Sequence, residues 1–379
     1  MRTRRLAAAA AAAITLPLAL TACGDAMRAE SNDGRIQIVT SFYPLQFVAS
    51  QVAGDLADVS NLTPPAADPH HLELSPARTR DIGNADLVVT LGGFQPAVDD
   101  AIAARQPARV VDAADIVPLL SAAITGGHDC SQHDHSDHSH DHSHEGHSHG
   151  DHDHHHGSHD HDHATDDTHA HDDPHDEHGH FIYDDEHGHF IHNDPHADHV
   201  HDIAGMDPHF WLDPIKLSML AHPIANALAE IDPANADTFV ANADYLVQRL
   251  EELDAEFAAA LAPFAGATLI TNHTAFGYLA HRYGLHQVGV TGLDHDIEPS
   301  PARMREIRDI ARQHNVSTVF YENLVSPRVI QTLANDLGIQ ARVLDTLEGL
   351  TQDKIAAGED YISIMRANLT ALTEGLTRP

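Results

Sequence analysis

The chain has 379 residues, a formal net charge of −36 at pH 7, 36 His and only two Cys. That length allows two domains, or one domain with an insert, and the acidity argues against nucleic acid as a partner. Two cysteines, Cys23 and Cys130, provide no disulfide framework, so the fold must stand on its own core.

Residues 1–22 begin with Arg2, Arg4 and Arg5 and continue as an apolar run from Leu6 to Leu20. A short apolar stretch with a basic flank and small residues before the cut reads as an export signal, being too short to span a bilayer. The closing "LTAC" resembles a bacterial lipobox, in which Cys23 becomes the lipidated first residue of the mature protein. Acyl chains there would hold the protein at the membrane surface without crossing it. Residues 23–34 then serve as a tether.

From residue 35 the pattern is α/β. "RIQIVTSF", "ADVSNLTP", "DLVVTLGG" and "ARVVDAAD" read as strands. "PLQFVASQVAG" and "SPARTRDIGNA" read as helices, the second introduced by Ser75-Pro76. Strands alternating with helices imply a parallel sheet covered on both faces. This N-terminal lobe, 35–232, is interrupted by residues 128–201, which hold 27 His and 20 Asp or Glu with no Lys or Arg. The insert therefore supplies 20 of the 36 net negative charges. It contains a near-repeat, "EHGHFIYDD" followed by "EHGHFIHND". Such composition cannot repay the entropy of ordering, so the insert is expected to be disordered without metal. Its imidazoles, among them His133, His135, His138, His140, His142, His144, His154, His155 and His156, are candidates for weak, repeated zinc binding.

Beyond the insert, Asp213-Pro214 signals a helix start that runs to about Glu230. Asp232-Pro233 repeats the signal and opens a long helix over 233–262. Phe239, Ala243, Leu246, Leu250, Leu253 and Phe257 step along it by 4, 3, 4, 3 and 4, one face of a helix. Its thirty residues would make a rod of about 45 Å, a spine shared by two lobes. The second lobe, 263–379, offers strands at "ATLITNH", "QVGVTG", "VSTVFYEN" and "ARVLDTL", with helices over 276–283, 300–314 and 327–337. The fold expected is α/β, two Rossmann-like parallel-sheet lobes joined by a long backbone helix.

Nine His lie outside the insert. In open parallel sheets, ligands bind just beyond the C-terminal ends of strands. His70 follows "VSNLTP", His273 follows "TLIT", and Asp345 follows "ARVL", while His209 lies in an irregular segment, "DPHFWL". Three imidazoles and a carboxylate from loops of both lobes could close around one ion in the cleft between them. Such a four-coordinate set suits Zn2+, with bonds of about 2.0–2.2 Å. His222, His281, His286 and His314, in or beside helices, read as ordinary solvated side chains. His71 and His295 stay undecided, and His71 could substitute for His70.

With these residues in place, the chain resembles the metal-binding solute-binding lipoproteins of ABC importers, specifically their zinc branch. The resemblance is carried in order by "DPHHLELSP" (68–76), "DPHFWLDP" (207–214), "NHTAFGYLAHRYGL" (272–285), "EPSP" (298–301) and "LDTL" (344–347). It implies two lobes joined by a long helix, with His70, His209, His273 and Asp345 as metal ligands in the cleft. It also implies a His- and acid-rich loop where this insert falls, and an extracytoplasmic monomer working with a permease and an ATPase. Manganese-type relatives place a carboxylate where His273 stands, and imidazole there moves the set toward zinc. Glu322, at the end of "TVFYE", also points toward the cleft and is expected to orient a ligand His. Two other readings remain open from the residues alone. One is an exported zinc hydrolase, although "HEGH" (144–147) lacks the H-E-x-x-H spacing. The other is a zinc buffer acting mainly through the insert.

Overall fold

The structure is a computed structural model that describes residues 34–126, 182–184, 189–191, 203–293, 298–324 and 326–378. The signal and tether expected over residues 1–33, with Cys23, lie outside the described residues, as does His295.

Apolar runs that point side chains alternately to two faces build the first sheet. Strands β1 (Ile36–Thr40), β2 (Ala57–Asn61), β3 (Leu87–Thr90) and β4 (Val110–Asp112) pair entirely in parallel, in the order β2-β1-β3-β4. Ile38, Leu87 and Val89 face one core cluster, whereas Val39 and Val88 face another with Ile82 and Val98. A strand buried on both faces has to be apolar at successive positions, which is what a parallel sheet demands. The crossovers are helices α1 (Tyr43–Ala53), α2 (Pro76–Asn84) and α3 (Pro96–Arg105). Ser75 caps α2 by accepting from Arg78 N, with Pro76 at the first turn.

A short helix α4 (Ala122–Thr125) leads to the insert, whose ends are pinned together. Ser121 and Met206 form an antiparallel bridge, Ala122 N donates to Gly205 O, and Asp207 N donates to Leu120 O. Within the interval 128–201 the described residues form β5 (Ile182–Asp184) and β6 (His189–Ile191), paired antiparallel with Ile182 opposite Ile191. Each of these strands takes three residues from one copy of the near-repeat. Each copy supplies a β-prone "FI" that the rest of the stretch lacks. The auxiliary imidazoles from His133 to His156 lie outside the described residues.

After the insert come α5 (Pro214–Ser218) and α6 (Ala221–Ile231), then the spine, α7 (Ala236–Leu261). Asp213 caps α5 by accepting from Ile215 N and Lys216 N. The expected 233–262 helix begins with a separate 3-10 turn at Pro233–Asn235 and ends in another at Ala262–Phe264. Every position of its apolar stripe, Phe239 to Phe257, is buried. No described helix is long and apolar enough to cross a membrane.

The second sheet repeats the first. Strands β7 (Thr268–Thr271), β8 (His286–Gly289), β9 (Thr318–Tyr321) and β10 (Gln340–Val343) are parallel in the order β10-β9-β7-β8. Around them lie α8 (Gly277–Tyr283), α9 (Pro301–Gln313), α10 (Arg328–Leu337), α11 (Gln352–Ala356) and α12 (Tyr361–Gly375). The spine packs against α1, α5 and α6 of the first lobe and against α8 and α12 of the second. One apolar core therefore runs through both lobes, from Ile38 and Leu87 across Leu250 and Phe257 to Leu269, Phe320 and Tyr361. In both sheets the chain reverses direction between the two central strands, β1/β3 and β7/β9, which opens a crevice at their C-terminal ends.

Candidate metal centre

Each imidazole of the centre is fixed by a different local device. His70 sits in the loop after β2, where Asp68 Oδ1 accepts its backbone N–H at 2.8 Å. Gln95, buried, donates through Nε2 to Pro69 O at 3.1 Å, and the His70 ring stands edge-on to Phe94 at 4.9 Å between centroids. His209 opens a 3-10 turn, Phe210–Leu212. Asp207 Oδ1 accepts both its backbone N–H (2.9 Å) and its ring Nδ1–H (2.7 Å). His273 follows β7, and Glu322 Oε1, at the end of β9, does the same for its backbone N (3.1 Å) and Nδ1 (2.7 Å).

The same pairing thus appears in both lobes: one carboxylate oxygen grips a backbone N–H and the Nδ1–H of the same His. Holding the proton on Nδ1 leaves Nε2 as the lone-pair donor aimed inward. Glu322 thus holds His273 by its backbone and its ring. Asp207 was visible in the "DPH" motif, yet its spacing of two residues from His209 does not by itself announce the role.

The three Nε2 atoms converge on one carboxylate, Glu348. Its Oε1 lies 3.4 Å from His70, 3.3 Å from His209 and 3.6 Å from His273. One donor atom from each of the four residues falls within 4.8 Å of all the others. A tetrahedral ion with bonds of about 2.0–2.1 Å holds its ligand atoms about 3.3–3.4 Å apart, close to the three distances from Glu348. His209 and His273 are fully buried, Glu348 nearly so, and His70 forms the more open side.

Asp345 stands differently from expectation. It does not join the group of four. Its Oδ1 accepts from Leu347 N at 2.8 Å, and its Oδ2 accepts from Asn323 Nδ2 at 2.5 Å and from Lys354 Nζ. Both carboxylate oxygens are therefore engaged by loop and helix donors. Glu348, three residues further in "LDTLEGL", takes the cleft instead; a second acid in the same strand-end loop was the signal for it. His71 points away as a half-exposed partner of Asp68 Oδ2 at 3.2 Å. His222 pairs with Asp244 on the surface, and His281, His286 and His314 are exposed.

Electrostatics agree with a cation site. Burial alone would lower the His209 and His273 pKa values, but Asp207 and Glu322 beside them, with Glu348, hold both above the ordinary range. Burial would raise Glu348, yet the imidazoles of His209, His273 and His70 beside it hold it well below the usual carboxylate range. The second lobe also approaches the insert stem closely here. Tyr278 Oη donates to Asp207 O at 2.8 Å and accepts from Leu120 N at 2.7 Å. Gly277 is required beside it, because a Cβ there would lie 2.2 Å from Thr125 Cβ and 2.9 Å from Asp207 Oδ2.

Residues 38–375 match the family described as "Zinc-uptake complex component A periplasmic" (ZnuA). The zinc-binding lipoprotein AdcA of Streptococcus pneumoniae R6 is 29% identical over 361 residues, covering 94% of this chain and 58% of that protein. The chain thus spans little more than half the length of this streptococcal relative. The high-affinity zinc uptake system protein ZnuA of Bacillus subtilis 168 is 29% identical over 366 residues, 95% of this chain and 94% of that protein. The solved structure of the Zn(II)-bound ZnuA-like domain of Streptococcus pneumoniae AdcA matches with a TM-score of 0.62 at 26% identity, covering 90% of this chain and 99% of that one. Since the matched interval takes in both lobes and all four residues of the centre, the chain belongs to the ZnuA family, zinc-uptake complex component A.

Proposed function

We propose that this chain is an extracytoplasmic receptor that captures Zn2+ through His70, His209, His273 and Glu348 and delivers it to the permease of an ABC importer. The observation that carries this reading is the convergence of three Nε2 atoms on Glu348 at tetrahedral spacing. Four protein donors complete a tetrahedral set, whereas hydrolysis needs a position kept for activated water. The zinc-uptake and lipoprotein descriptions of the relatives support export and anchoring through Cys23.

Calorimetry tests the reading. A chain lacking residues 1–22 and 128–201 is expected to keep one tight zinc site per molecule. Loss of that site with the insert would transfer the function to the insert and make the protein a buffer.

Zinc binding is also expected to release protons. His209 and His273 are held above their ordinary value of about 6.5, so zinc competes with protons in the metal-free cleft at higher pH than at free imidazoles. Apparent affinity should fall as pH drops through those raised values, beginning above 6.5. The stability that these charged imidazoles give the metal-free protein runs the opposite way with pH. It is fully present below the unfolded value and is lost as pH rises through the folded one. Glu348 acts oppositely, stabilising above its unfolded value and losing that effect as pH falls through its depressed one. Titrations at pH 7 in buffers of different ionisation enthalpy should show net proton release, and none would contradict the assignment.

A further inference from the structure

We propose that Asp345 is a positioning residue that sets Glu348 against the imidazoles and does not itself ligate the ion, an inference that rests on the zinc-capture reading above. Glu348 is delivered by a tight, fully buried turn, residues 344–350. Its preceding residue, Leu347, has φ of 59°, a left-handed backbone conformation that bulky L-residues rarely adopt. Such a conformation persists only where the surroundings over-determine it. Asp345 is the centre of those surroundings. Its Oδ1 accepts the Leu347 N–H, closing the turn two residues on, a local geometry that Asp favours.

The rest of Asp345 is held from three other elements. Asn368 on α12 donates through Nδ2 to its carbonyl at 2.7 Å and accepts its backbone N–H through Oδ1 at 2.8 Å. Lys354 on α11 and Asn323 just beyond β9 hold Oδ2. Asn323 adjoins Glu322, so the same strand end fixes His273 through one residue and the Glu348 turn through the next. An ammonium and two neutral donors on one carboxylate hold it in one orientation, which suits an anchor. Drawing Asp345 into the coordination sphere would break the Leu347 bond that holds Glu348 in place.

The test uses the mature full-length chain with one equivalent of Co2+, which fills the tightest site and reports its coordination through visible d–d bands. Four-coordinate cobalt absorbs strongly, and bands weaken when water expands the sphere. Asp345→Asn keeps an oxygen for Leu347 N and should keep the native spectrum. Asp345→Ala should lower zinc affinity about 10- to 100-fold and shift the spectrum toward that of Glu348→Ala. The double variant D345A/E348A should bind no more weakly than E348A alone. Asn323→Ala, which touches no ligand, should move the spectrum in the same direction and serves if D345A fails to fold. A ligand-type loss in D345N, or full additivity in the double variant, would overturn the positioning role while leaving zinc capture intact. A wild-type spectrum that E348A leaves unchanged would overturn the cleft assignment and this inference together.

Discussion

Alanine at Glu348 or at His209 is expected to weaken zinc binding by roughly two to three orders of magnitude. A closed four-ligand zinc site is worth about 10–16 kcal/mol, or about 2.5–4 kcal/mol per ligand if shared evenly, and each 1.4 kcal/mol is tenfold. The two variants should fail differently. Without Glu348, the site keeps three imidazoles but loses its only negative ligand, so water enters and the set resembles a softer, neutral one. Without His209, the buried Asp207 carboxylate loses the Nδ1–H partner it holds at 2.7 Å. That leaves an uncompensated charge in the core and adds a folding penalty of about 3–5 kcal/mol. Both variants should lower the urea midpoint of the metal-free protein, His209→Ala by stranding Asp207 and Glu348→Ala by removing the buried carboxylate that the imidazoles hold below its ordinary pKa. Alanine at His222 or His314, both on the surface, should leave zinc affinity unchanged. Chelator competition separates these outcomes. Four variants behaving alike would mean the tight site lies elsewhere.

The lobes were legible because their signals are periodic and local. The 4-3-4-3-4 stripe of α7 and the Ser-Pro and Asp-Pro starts of α2 and α5 were read in place. The eight strands of the two sheets fell where short apolar runs end at strand-loop junctions. Helices α3, α4, α11 and α12 gave no such reading. The last of these is capped by an Asp360–Ser363 box, which is less conspicuous than a Pro start. The structure brings together His70, His209 and His273, which the sequence placed beyond strands and between elements, and groups Glu348 with them in place of Asp345. Spacing within a tight turn depends on backbone handedness. Leu347 adopts a conformation that nothing in "LDTLEGL" signals, and that bend turns Glu348 inward in place of Asp345. The orienting role of Asp207 was equally hidden, since a carboxylate two residues before a His serves caps and turns as readily as imidazoles.

Trp211→Ala is expected to cost about 3–5 kcal/mol of stability, as for other fully buried large aromatics, and to impair zinc binding as well. Trp211 is the only Trp in the chain and is fully buried where the two lobes meet. Its ring packs on Phe42 at 4.9 Å and Phe94 at 6.0 Å from the first lobe, and lies 5.1 Å from the ring of His209. From the second lobe, Tyr361 Oη donates to its carbonyl at 2.5 Å. Its own Nε1–H donates to Thr346 O at 2.8 Å, inside the turn that carries Glu348. One side chain thus rivets the first-lobe aromatics, a ligand imidazole and the fourth ligand's loop. Trp211→Phe separates packing from hydrogen bonding. It keeps most of the apolar volume but leaves the buried Thr346 carbonyl without its donor, at about 1–3 kcal/mol. That variant should fold, lose stability by that smaller amount, and still bind zinc about 10-fold more weakly, because the Glu348 turn loses one of its fixings. In the parent protein, ordering of His209 and Glu348 around zinc should change the fluorescence of Trp211. The signal should saturate at one zinc per chain, before the insert fills. Trp211→Phe with unaltered affinity would confine Trp211 to a packing role, and fluorescence that tracks only the later, weaker zinc ions would place the first ion outside the cleft.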